Sequence, residues 1–210
     1  MNRIGKTMGV LLFLLVFSLT GVSEGAIDQN TVNRAWKRIS AQTGMEYKGV
    51  LFEQKKEPNA WVKFSSGNHT VHVTTGLMNI LDREDEIAGI LAHEAGHIKL
   101  GHYNSSVGRS ILWSLLFRAL EGNTAGEVAG SVGIGLAESG FSREQEVESD
   151  DYGIRIAADA GYSPWGLVRA MEKMKAAGYK TSPNGFNSHP PTERRLERLR
   201  RNASVIEPRK

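Results

Sequence analysis

The chain has 210 residues, 40% hydrophobic and 23% charged, with a formal net charge of +3. That balance excludes a disordered polyelectrolyte, and no nucleic-acid-binding module is visible. Cysteine is absent, which excludes disulfides, thiolate metal sites and a lipidated cysteine anchor; stability must come from packing and from any bound metal.

The predicted elements begin with a targeting segment. Arg3 and Lys6 precede the apolar run "MGVLLFLLVFSL" (8–19), and "TGVSEGA" supplies small residues for cleavage between Ser23 and Ala26. Residues 1–26 read as a signal peptide whose cleavage position is left open by Glu24. The run is short for a membrane span, so an uncleaved anchor is the second reading. The expectation is an exported protein, periplasmic or secreted, with a single domain over residues 27–210.

"DQNTVNRAWKRISAQTG" (28–44) predicts an amphipathic helix with Asp28 as N-cap, a stripe of Val32, Ala35, Trp36 and Ile39, and Gly44 as its stop. "YKGVLFE" (47–53) has strand composition, and "AWVKFSSGNHTVHVTTG" (60–76) alternates into a hairpin turning at Ser66, Gly67 and Asn68. His69 and His72 read as polar positions on a half-exposed strand. In "LDREDEIAGILAHEAGHIKLGH" (81–102), acids open a helix and Ile87, Ile90, Leu91 and Ile98 repeat at helical spacing. "SILWSLLFRAL" (110–120) suits a buried or lid helix. Helices are then predicted over 142–162 and over 163–178, the latter with Pro164 in its first turn. A Gly/Pro/Asn loop (179–191) leads to a last helix carrying "ERRLERLRR" (193–201). Its arginines read as a solvated face, with peripheral contact to an anionic membrane as the second reading. No internal repeat is present. The fold class expected is α+β, mostly helical, with a small antiparallel sheet before the helix of residues 81–102.

Chemistry concentrates in that helix. His93 and His97 lie four apart, on one face and one turn from each other, so both imidazoles can converge on one ion. Glu94 falls beside them, where a bound water would lie. H-E-x-x-H is the zincin pattern of two ligands and a general base. Without cysteine, a third ligand must be His, Glu or Asp. The useful candidate stands in "FSREQEVESDDYG", where Glu146 and Asp150 share a helix face: a ligating Glu and, one turn on, an Asp that braces a ligating His. Glu144 and Glu148 fall on other faces and read as solvated.

Three ordered blocks carry a resemblance: H-E-x-x-H at 93–97, S-R-x-x-E-x-x-(A/S)-D-x-x-G at 142–153, and S-H-P-P-T-x-x-R at 188–195. Together with "PNAWVKFSSGNHTVHVTTGL" they resemble the HtpX-like metallopeptidases, gluzincins related to the CaaX prenyl proteases, over residues 28 to 200. The resemblance implies a zincin-like fold and one zinc per chain, bound by His93, His97 and Glu146, with Glu94 as base and Asp150 in support. Bracing His93 is the physically simpler role for Asp150 than proton donation. Ser149 stands where the family usually has Ala, and the long transmembrane hairpins of HtpX have no counterpart. The activity implied is endopeptidase cleavage of exported or misfolded polypeptides. A catalytically silent zinc protein that binds clients is the alternative, and intact Glu94 argues against it. His189 is the candidate donor to the oxyanion, or a fourth metal ligand at rest, or a loop histidine without a role. Oligomeric state is not legible.

Overall fold

The computed structural model describes residues 26–65, 68–103, 141–177 and 192–206. Among them are helices α1 (Gln29–Thr43), α2 (Thr75–Ile80), α3 (Glu84–Lys99), α4 (Arg143–Asp159), α5 (Gly166–Ala176) and α6 (Glu193–Ile206). The strands are β1 (Val50–Glu53), β2 (Ala60–Ser65) and β3 (Asn68–Thr74). The segment 110–120 and the turn residues Ser66 and Gly67 lie outside the described residues. No described helix is long and apolar enough to cross a membrane.

Local chemistry sets the helix ends. Asp28 caps α1 by accepting from the Thr31 amide at 2.7 Å, and Gly44 closes it in the left-handed region. Ser142 and Gln145 form a reciprocal capping box at the start of α4, at 3.2 and 2.9 Å. Helix α5 begins two residues later than Pro164, which sits in the preceding turn.

The sheet is mixed, not antiparallel as expected. Its order is β1-β3-β2, with β2 antiparallel to β3 and β1 parallel to β3. The chain leaves β1, passes over the central position to form β2 at the far edge, and returns as β3 in the middle. Burial explains the choice: Val71, His72, Val73 and Thr74 are all buried, so β3 suits a position covered on both faces. His72 is therefore not half-exposed. Its Nδ1 meets Glu53 Oε1 at 2.9 Å, and its ring stacks on Trp61 at 5.0 Å.

Helix α3 is the centre of the molecule. Every residue from Glu86 to His97 is buried, so the periodic stripe in the sequence understates a helix covered all round. Its neighbours are α1, α4, α5 and β2. The acids of its first turn face the positive end of the helix and anchor it to α1 and α5. Glu84 pairs with Arg34 at 2.6 Å, Asp85 with Arg169 at 2.5 Å, and the fully buried Glu86 with Lys173 at 2.8 Å.

Helices α3 and α4 approach most closely at two glycines, Gly96 and Gly153. A Cβ on Gly153 would lie 2.8 Å from the His93 nitrogen and 2.9 Å from its Cα; one on Gly96 would lie 2.5 Å from Ser149 Oγ. In that closeness Ser149 donates a hydrogen bond across the interface to the His93 carbonyl, at 2.6 Å. Gly153→Ala is expected to cost ~1–3 kcal/mol, because the added methyl meets backbone that cannot step aside. Urea denaturation should show a lower midpoint with an unchanged slope; an unchanged midpoint would show that the crossing is slack.

Candidate metal centre

The helical period puts His93 and His97 on the same face of α3, with their Nε2 atoms 3.1 Å apart. Across the crossing, α4 supplies Glu146. Its Oε1 lies 3.4 Å from His97 Nε2 and its Oε2 3.7 Å from His93 Nε2. A tetrahedral ion with bonds of about 2.0–2.1 Å holds its donors about 3.3 Å apart, so these spacings suit one small cation. All three residues are buried, and they form the single such trio found among the described residues. Two nitrogens, one carboxylate and no sulfur are a donor set for a first-row divalent metal.

His93 is held from behind. Its Nδ1 lies 3.0 Å from Asp150 Oδ1, one turn along α4 from Glu146. Asp150 also receives Arg195, from Nη2 to Oδ1 at 2.6 Å and from Nε to Oδ2 at 2.8 Å. Arg195 Nη1 stands 2.8 Å from Glu146 Oε2. Burial pushes the Asp150 pKa up, but the Arg195 charge and the hydrogen bonds from His93 and Arg195 outweigh it and hold the carboxyl below its usual range. Asp150 is therefore an acceptor with both oxygens engaged, which fits bracing and not proton donation. Three buried carboxylates, Glu94, Glu146 and Asp150, face one buried guanidinium, a formal excess of two negative charges. Such an excess is costly in a buried site unless a dication joins it. The residues present fit a divalent ion.

His97 is held differently. Phe141 stacks on its ring at 3.8 Å, and His102 Nδ1 lies 2.9 Å from His97 Nδ1. The other nitrogen of His102 meets Glu148 Oε2 at 3.0 Å. Glu94, buried beside the pair, receives the Tyr103 hydroxyl at 3.4 Å. Burial first, then the Glu94 charge, pushes the Tyr103 pKa well above the ordinary phenol value, so its hydroxyl keeps the proton it donates.

The structure thus brings together His93, Glu94, His97, Glu146 and Asp150, while His189 lies outside the described residues. His102, Tyr103 and Phe141 were given no role at the site from the sequence, and the parts of Arg195, Glu148 and Ser149 were missed there too. Arg195 sat in a run read as a solvated face; its side chain is only 8% exposed and lies on Glu146, while Arg198 and Arg200 pair with Asp151 and Glu172. The signal was positional, since Arg195 is one turn before Leu199 on the stripe of Leu196, Leu199 and Ala203. Glu148 has a largely exposed side chain, as expected, yet it is paired with the buried His102. Ser149, noted in the sequence only as a departure from the family's usual Ala, ties α4 to the His93 carbonyl.

This arrangement is that of a zincin-like α+β protein, with both histidines on one helix and the carboxylate on another. The profile of "Peptidase family M48" matches residues 26–203. The chain is 30% identical over 152 residues to "Metalloprotease LoiP" of Escherichia coli K12, covering 69% of this chain and 58% of that protein. "Metalloprotease YcaL" of the same organism is 30% identical over 68% of this chain and 57% of its own length. A "Protease HtpX homolog" of Pyrococcus furiosus is 28% identical over 81% and 72%. The chain belongs to peptidase family M48 and is similar to its HtpX-like members. It spans less than two thirds of the length of the LoiP and YcaL proteins.

Two outcomes follow from the buried charges. Asp150→Ala should weaken divalent-metal binding ~10–100-fold, as for loss of a partner to a ligating His, when measured by chelator competition; unchanged affinity would remove the bracing role. Arg195→Gln should cost ~3–5 kcal/mol in chemical denaturation of the metal-free protein, because buried carboxylates lose their cation. A smaller loss would mean that water already screens the site.

Proposed function

We propose that the protein is a zinc-dependent endopeptidase acting on exported or misfolded polypeptides. The observation that carries this reading is the convergence of His93, His97 and Glu146 beside a buried Glu94. Membership of a peptidase family and metalloprotease relatives support it. The basic-then-apolar segment 1–26 supports action outside the cytoplasm, in the periplasm or after secretion.

His93, His97 and Glu146 would hold the ion. Bound zinc supplies an acidified water and polarises the peptide carbonyl. Glu94 takes the proton from the attacking water at a carboxylate oxygen and delivers it to the departing amide nitrogen. Tyr103 holds that carboxylate in place through its hydroxyl. Asp150 and Arg195 keep the His93 Nε2 lone pair turned toward the ligand cluster. His189 keeps in this reading the candidate roles read from the sequence, a donor to the developing oxyanion or a fourth ligand in a resting state, against a loop histidine without a role. A binder without catalysis leaves Glu94 buried at the site with no task.

Digestion of an unfolded protein, with and without chelator, tests the proposal. Cleavage should vanish on chelation and return with added zinc. Glu94→Gln should lower it by about 10²- to 10⁴-fold while metal content stays at one per chain. Cleavage indifferent to chelator would refute the mechanism, and metal lost in step with activity would make Glu94 a structural residue instead.

A further inference from the structure

The proposed mechanism gives no task to His102, although it is buried and touches a candidate ligand. Its place is set by the backbone. Helix α3 ends at Lys99, and Gly101 adopts φ 70°, a left-handed turn that glycine makes without strain. The turn folds the chain back, so that His102 lies against His97 instead of continuing along the helix axis. Glu148, which reaches the other side of His102, stands on α4 two residues from Glu146. One helix therefore delivers both the third candidate ligand and the far end of this chain of contacts.

The order of protons along the chain is fixed from its two ends. If His97 binds an ion through Nε2, that nitrogen presents a lone pair and the ring proton must sit on Nδ1. That N–H points to His102 Nδ1 at 2.9 Å, which must then be an acceptor. A neutral His102 accepting at Nδ1 carries its proton on Nε2, and that N–H faces the Glu148 carboxylate at 3.0 Å. The reverse order would put a proton on His97 Nε2, pointing at the ion. Carboxylate at one end and cation at the other therefore select the same order.

We infer that His102 is a positioning residue for His97, itself oriented by Glu148, and that it does for the second histidine what Asp150 does for the first. The two supports differ in kind. Asp150 is a fully buried carboxylate locked by Arg195, whereas His102 is a second imidazole whose anchor has a side chain 59% exposed. This inference rests on the metal reading of the site, and the experiment separates the two.

The test uses the full chain loaded with zinc. Long-range ¹H–¹⁵N spectra of the imidazoles should show His97 protonated on Nδ1 and His102 protonated on Nε2. Zinc affinity is then compared among wild type, His102→Asn and His102→Phe by chelator competition. The Asn amide oxygen can stand where Nδ1 stood and accept the same hydrogen bond, while Phe fills the space without accepting. His102→Phe should lose ~10–100-fold in affinity and His102→Asn no more than ~3-fold. A Phe variant that binds zinc like wild type overturns the inference, as does equal loss in both variants. A wild-type spectrum with His102 protonated on Nδ1 overturns it too, and that spectrum decides the matter even if the Phe variant fails to fold. Wild type that takes up no zinc overturns the metal reading, and this inference with it.

Discussion

The candidate centre depends on how closely α3 and α4 cross. The two histidines belong to one helix and the carboxylate to the other, so the spacing of 3.4–3.7 Å from the carboxylate to the imidazoles is a statement about the distance between two backbones. Gly96 and Gly153 set that distance by leaving room for no more than each other's neighbours. Ser149 converts the closeness into a directional bond on the His93 carbonyl. Close packing transmits such constraints because the interior has little slack. The first-turn acids of α3, tied to α1 and α5, hold the helix from its other end.

Electrostatics explains why the site is arranged as it is. Glu94, Glu146 and Asp150 are buried together, and Arg195 offsets only part of their charge. The guanidinium is suited to this because its planar fork can serve Asp150 through two nitrogens and Glu146 through the third. A dication bound by His93, His97 and Glu146 would complete the balance. Arg195 also makes α6 part of the site, although that helix contributes no candidate ligand. Helix α6 is thereby coupled to the candidate metal centre through one side chain.

The imidazoles are oriented through their second nitrogens by unlike partners. His93 meets a buried carboxylate, while His97 meets a second imidazole and the face of Phe141. A ligating histidine needs such a partner because it fixes which nitrogen carries the proton. Beside them, Tyr103 secures Glu94 from outside the H-E-x-x-H motif.

Much of this was legible in the sequence wherever chemistry and period coincide. H-E-x-x-H fixed the face of α3, the Glu146–Asp150 spacing fixed a face of α4, and Asp28 and Gly44 marked the ends of α1, since caps and helical faces are local properties. What tertiary structure alone decided are matters of non-local contact. The central place of β3 follows from what covers the sheet, not from the alternation of its residues. A helix buried on all sides reads as amphipathic when only its apolar positions are counted. Arg195 looks solvated among its arginine neighbours, and only the carboxylates waiting on α4 make its burial favourable. His102 gains a partner because Gly101 turns the chain back, a geometry that the letters permit and the packing selects. Spacing along a chain specifies which side chains share a face; which charge lies opposite that face depends on residues some fifty to a hundred positions away, brought there by the fold.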